Sequence, residues 1–110
     1  MCAGPNNGSD TNGREAAVAD SQVDNDRVRV TRWSFAPGAA TGWHVHEYDY
    51  VITPVIGSAV DIVNEAGEIN RVEMIAGVSY FREAGVAHDV INAGSGELVF
   101  VETELKEAKS

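Results

Sequence analysis

A chain of 110 residues has room for one hydrophobic core and not for two, so a single domain is expected. Seventeen acidic residues against eight basic ones give a formal charge of −9, which repels polyanions and sets nucleic acid and anionic membranes aside as partners. Cys2 is the only cysteine, which rules out an internal disulfide and fits a reducing, cytoplasmic location.

Residues 1–15 are polar, rich in turn formers and almost without apolar anchors, so they read as a flexible N-terminal arm. They contain no basic stretch followed by an apolar run, hence no secretory signal, and nowhere does an apolar run approach the roughly 20 residues that would span a bilayer. A weak strand is possible over 16–23. From Arg27 the pattern sharpens: Val28 and Val30 alternate with Arg29 and Thr31, and Trp33 and Phe35 lead into a turn at Pro37-Gly38. Arg32 continues the alternation of Val28 and Val30, which places a charge on an apolar face or marks a bulge that returns it to solvent.

The stretch 42–56 is rich in aromatic and branched residues and is interrupted by Pro54, which a sheet edge or bulge tolerates. Further strands follow over 58–63, 69–74, 78–82, 88–91 and 98–105, separated by turns at Asn64-Glu65-Ala66-Gly67, Ala76-Gly77, Gly85 and Ala93-Gly94-Ser95-Gly96. Strands spaced by about ten residues, with turn signals between them, predict an all-β sandwich or barrel occupying 16–105, with 106–110 as a short tail.

All three histidines of the chain fall into one pattern, His44-Val45-His46 and His88. Alternate residues of a strand share a face, so His44 and His46 are expected to converge, and a barrel can bring His88 opposite them. Neutral imidazoles suit Fe(II), Zn, Ni and Cu, and three of them leave positions open for water or substrate.

These residues carry a resemblance to the cupin superfamily over about residues 27–105. The first cupin motif, Gly, five residues, His-x-His, three or four residues, Glu, six residues, Gly, is met by Gly38, His44-Val45-His46, Tyr50 in the Glu place and Gly57. The second is met by Gly77, Glu83 in the Pro place, Gly85, His88 and Asn92. The resemblance implies a double-stranded β-helix (jelly-roll) barrel, His44, His46 and His88 as metal ligands, and Asn92 as a turn or packing residue. It also implies a chemistry, since three-histidine cupins include iron dioxygenases that act on β-diketones or thiols. Asp49 and Glu47 flank the motif, but regular alternation points both away from the ion.

Tyr50 in place of a carboxylate leaves the full charge of a divalent ion uncompensated, which favours a small chelating anion as substrate. Tyr50 is the candidate catalytic residue, as hydrogen-bond donor or acid/base. Tyr48, on the same face if no bulge intervenes, and Arg32 and Arg82, as cations, are candidate substrate contacts. Three functions are open: an iron-dependent dioxygenase, a non-redox lyase or isomerase using Tyr50, and a non-catalytic binding module. Trp33, Trp43, Tyr80, Phe81 and Phe100 read as core, and Asp89 as outward-facing. A homodimer that covers the strand at 16–23 is expected as well.

Overall fold

Alternating apolar and polar residues, cut by turns, fold residues 11–106, the part described by the computed structural model, into strands with no helix. These are β1 (Val18–Asp24), β2 (Val28–Phe35), β3 (His44–Val45), β4 (Asp49–Ile56), β5 (Ser58–Val63), β6 (Ile69–Met74), β7 (Tyr80–Arg82), β8 (Ala87–Asn92) and β9 (Leu98–Leu105). A five-stranded sheet has the order β1-β2-β9-β4-β7 and a four-stranded sheet the order β3-β8-β5-β6. All pairings between these strands are antiparallel, and the chain crosses repeatedly from one sheet to the other, as in a jelly roll. Among the described residues no helix is long and apolar enough to cross a membrane.

The first ten residues of the expected arm, Cys2 included, and residues 107–110 of the expected tail lie outside the described residues. Where the expected arm meets the barrel, the backbone is bonded to Ala40. Ala40 N–H donates to Glu15 O and Ala17 N–H donates to Ala40 O, each at 2.9 Å.

Phe35 and Phe100, with ring centroids 5.4 Å apart, sit in the core and define the inner face of the five-stranded sheet. Counting back from Phe35 by alternation puts Trp33, Thr31 and Arg29 on that inner face. Val28, Val30 and Arg32 therefore face outward, so the apolar face that carries Arg32 is the outer one. On β9 the same rule sends Phe100, Glu102 and Glu104 inward. Tyr50, Ile52, Val60, Met74, Val90 and Leu98 complete the core.

Two local features hold this arrangement. Pro54 interrupts β4 where the β4–β9 register shifts between Pro54 and Ile56, beyond the last β4–β7 pair at Ile52, so its missing N–H costs no ladder bond there. Asn92, 1% exposed, clamps three segments: its Nδ2 donates to Phe35 O, Ala36 O and Gly96 O, and its Oδ1 accepts from Ser58 Oγ and Gly94 N–H. The packing role expected for Asn92 follows from these bonds.

Candidate metal centre

The single strand expected to carry both His44 and His46 is broken after Val45, where the chain leaves the four-stranded sheet for β4 in the other. Convergence survives because both histidines remain tied to the same neighbour. His44 lies directly opposite His88 in the β3–β8 pair. His46 continues that ladder past the end of β3, its N–H donating to Val86 O at 2.9 Å while its C=O accepts from Gly85 N–H at 2.8 Å. Gly85 has φ +96°, a backbone conformation that side chains disfavour, and this turn delivers the chain to His88.

The three Nε2 atoms meet. His46 Nε2 is 3.1 Å from His44 Nε2 and 3.1 Å from His88 Nε2. The rings stand nearly perpendicular to one another, at 84°, 75° and 86°. His44 Nδ1 donates to Gly42 O at 2.8 Å, which leaves its Nε2 as a lone pair aimed at the other two. The Gly42 N–H in turn donates to Asp89 Oδ1 at 3.0 Å. Asp89, expected to face outward, is half-buried and steadies the loop that orients His44.

Burial holds the imidazoles neutral. It lowers the pKa of His44, takes His46 down to about 2 with help from His44 and His88, and takes His88 down to about 3 with help from His44. His44 offers a lone pair on Nε2, and with His46 and His88 as their Nδ1–H tautomers all three nitrogens face one cation. Ligand atoms bound at about 2.1 Å lie about 3.0 Å apart at right angles and about 3.4 Å apart in a tetrahedron, so a spacing of 3.1 Å fits a divalent ion of this size. His44, His46 and His88 are thus suited to hold one divalent metal.

Tyr50 is 2% exposed and stacks on His46, with ring centroids 4.0 Å apart and planes 22° from parallel. It lines a cavity of about 230 Å³ that opens over the three histidines, together with Trp33, Ile52, Met74 and Phe100. Arg82 lies at the rim of the same cavity with its guanidinium over the Tyr80 ring, 4.8 Å from the centroid. Tyr48 and Arg32 are not among the lining residues. The break after Val45 interrupts the alternation that would have turned Tyr48 inward, and Tyr48 instead packs under Arg29, 5.7 Å from the ring centroid. Arg32 is on the outer face, opposite Asp20 and Val101. Asp49 accepts from Ala84 N–H at 2.8 Å, and the exposed Glu47 lies 3.8 Å from Arg29, so neither carboxylate turns to the histidines.

The sequence reading missed a buried acidic pair behind the site. Glu102 lines the cavity, is 6% exposed, and brings Oε2 to 3.8 Å from His46 Nδ1. Burial, and next the adjacent Glu104 with which it shares a hydrogen bond, raise its pKa to about 8. Glu104 is neutralised on its other side by Arg29, whose Nε donates to Glu104 Oε1. The signal was present in the alternation of Phe100, Glu102 and Glu104, but four apolar neighbours over 98–101 hid which face was buried. Trp33, read as core, both packs there and borders the cavity.

Residues 31–104 match the family model of the cupin domain. The chain belongs to the cupin family. This cupin is 50% identical over 94 residues, 86% of this chain and 98% of the relative, to the β-alanine degradation protein BauB of Pseudomonas aeruginosa. A crystal structure of a cupin domain from Bordetella pertussis Tohama I superposes with a TM-score of 0.82 at 44% identity, covering 86% of this cupin and 97% of that chain. A protein with a double-stranded β-helix domain from Klebsiella pneumoniae shares the fold at 19% identity, with a TM-score of 0.70 over 88% of this cupin and 81% of that chain. In this cupin the Glu place of the first motif is Tyr50, and the nearest buried carboxylate to the histidines comes from β9.

Proposed function

We propose that this cupin is a mononuclear divalent-metal enzyme acting on a small chelating carboxylate, and that dioxygen is its co-substrate with Fe(II) as the ion. The observation that carries the reading is the meeting of three neutral Nε2 atoms at the floor of an apolar cavity. Fe(II) would supply the electrons that dioxygen activation needs, while Zn, Ni or Mn would supply Lewis acidity alone. The apolar wall of Ile52, Val72, Met74 and Phe100 keeps water from the reacting atoms and strengthens electrostatic contacts within. Arg82 at the rim receives the substrate carboxylate through charge-assisted hydrogen bonds.

Size and charge narrow the substrate. A cavity of about 230 Å³ lies below the usual range of roughly 300–1,000 Å³ for drug-sized ligands, so the substrate has few heavy atoms. The relative named for β-alanine degradation supports a short carboxylate bearing nitrogen or oxygen on its β-carbon, which chelates through a six-membered ring. Anaerobic loading with Fe(II), followed by oxygen-electrode assays over β-amino acids, β-oxo acids, β-diketones and thiols, tests the proposal. Oxygen uptake with one of the β-substituted acids is expected, and absence of Fe(II) binding sinks the iron reading.

The stacking of Tyr50 on His46 favours one second reading, a non-redox lyase or isomerase in which Tyr50 moves a proton. In that case Tyr50→Phe abolishes turnover while metal content stays at the wild-type level. Full activity of Tyr50→Phe rejects the role.

A further inference from the structure

His46 Nδ1 and Trp33 Nε1 are the two buried side-chain polar atoms without a hydrogen-bond partner among the described residues. The first has a chemical consequence. An imidazole that gives Nε2 to an ion carries its proton on Nδ1, and a proton buried there calls for an acceptor. The ring is 2% exposed, so water is a poor candidate, and the carboxylate that faces Nδ1 is Glu102, with Oε2 at 3.8 Å. Closing that gap to hydrogen-bond length takes about an ångström of side-chain movement.

Glu102 is also held from behind. Glu104 hydrogen-bonds it, and Arg29, which lies opposite Glu104 in the β2–β9 register, binds Glu104. The result is a row of His46, Glu102, Glu104 and Arg29 running from the cavity floor toward Tyr48 and Glu47 at the surface. Buried carboxylates without such support are rare, because isolated charge is costly in low dielectric.

We propose that Glu102 is a positioning residue for the metal: it accepts the Nδ1–H of His46 and so fixes the tautomer and ring plane of that ligand. In this cupin the carboxylate acts through His46 from β9 rather than on the ion from β4. The inference rests on the three-histidine metal reading above.

Its test uses the full chain and Co(II) alone as a spectroscopic probe, with affinity measured by competition against a chelator. Glu102→Gln keeps the shape and an acceptor oxygen but cannot ionise; Glu102→Leu loses the acceptor as well. Co(II) affinity is expected to fall about 10-fold in Glu102→Gln and up to about 100-fold in Glu102→Leu, with a shift of the Co(II) visible bands. The metal-free thermal midpoint is expected to hold or rise in both variants, because a buried ionisable group has been removed. A merely structural Glu102 would lower that midpoint and leave the bands and affinity of the folded variants unchanged, and that result overturns the proposal. Failure of the wild-type chain to bind Co(II) overturns the metal reading itself, and this assignment with it.

Discussion

At the scale of single residues, the site is a matter of where protons and charges are allowed to sit. Gly42 O accepts the Nδ1–H of His44 and so leaves its Nε2 lone pair free, and burial keeps all three rings neutral, so none has to shed a positive charge before meeting an ion. Arg82 is a cation at the cavity rim, and under the proposed function its role is to bind the substrate carboxylate rather than to take part in the chemistry. Arg82→Leu is therefore expected to raise KM for a carboxylate substrate at least 10-fold with kcat little changed, the loss of one charge-assisted contact of about 1.5–3 kcal/mol. Steady-state kinetics decides it; an unchanged KM removes Arg82 from the substrate site. Of the residues singled out from the sequence, His44, His46, His88, Tyr50 and Arg82 border one cavity, while Tyr48 and Arg32 do not. The difference is local: identity and spacing brought the histidines to notice, whereas the facing of Tyr48 and Arg32 depended on a strand break and on which sheet face is buried.

At the scale of elements, the connection between β4 and β5 shows how a motif glycine acts through backbone approach rather than chemistry. A Cβ on Gly57 would stand 2.3 Å from the backbone oxygen of Met74, at the end of β6. Backbone cannot yield as a flexible side chain does. Gly57→Ala is thus expected to destabilise the fold by about 1–3 kcal/mol, read as a lower urea midpoint with little change in slope. A midpoint equal to that of the wild type would show that the β4–β5 corner relaxes freely. The strand cadence was legible: β5, β6 and β9 begin and end where turn residues and alternation put them. The separation of β3 from β4 was not, because a run of aromatic and branched residues looks the same whether it stays in one sheet or crosses to another.

At the scale of the whole molecule, opposing titrations set the stability of the metal-free barrel. His46 and His88 ionise near their ordinary value of 6.5 when unfolded but resist protonation down to about 2 and 3 when folded, so their contribution is lost as pH falls below 6.5. Glu102 works the other way: its pKa rises from 4.5 to about 8 on folding, so its contribution is lost as pH rises from 4.5 through 8. Between 4.5 and 6.5 the histidines outnumber it, and above 6.5 it acts without them. The thermal midpoint of chelator-treated protein is expected to be higher at pH 6.5 than at pH 5 or pH 8; a higher midpoint at pH 5 would contradict the balance.

The outer face of the five-stranded sheet bears on assembly. We propose that two copies pair across it, as Val18, Val23, Phe81 and Leu105 are exposed and every residue of β1 is open. Sedimentation equilibrium is expected to give twice the chain mass, and a monomer at micromolar concentration would reject pairing.

The sequence alone determined that this chain is a β barrel of the cupin kind with its three histidines in one site, because period, turn chemistry and motif spacing are local properties that survive any repacking. Only the tertiary structure decided which face of each strand is inside. That choice depends on contacts between strands distant in the chain, Phe35 against Phe100 and Arg29 against Glu104, and it placed Glu102 behind His46 and Arg32 outside.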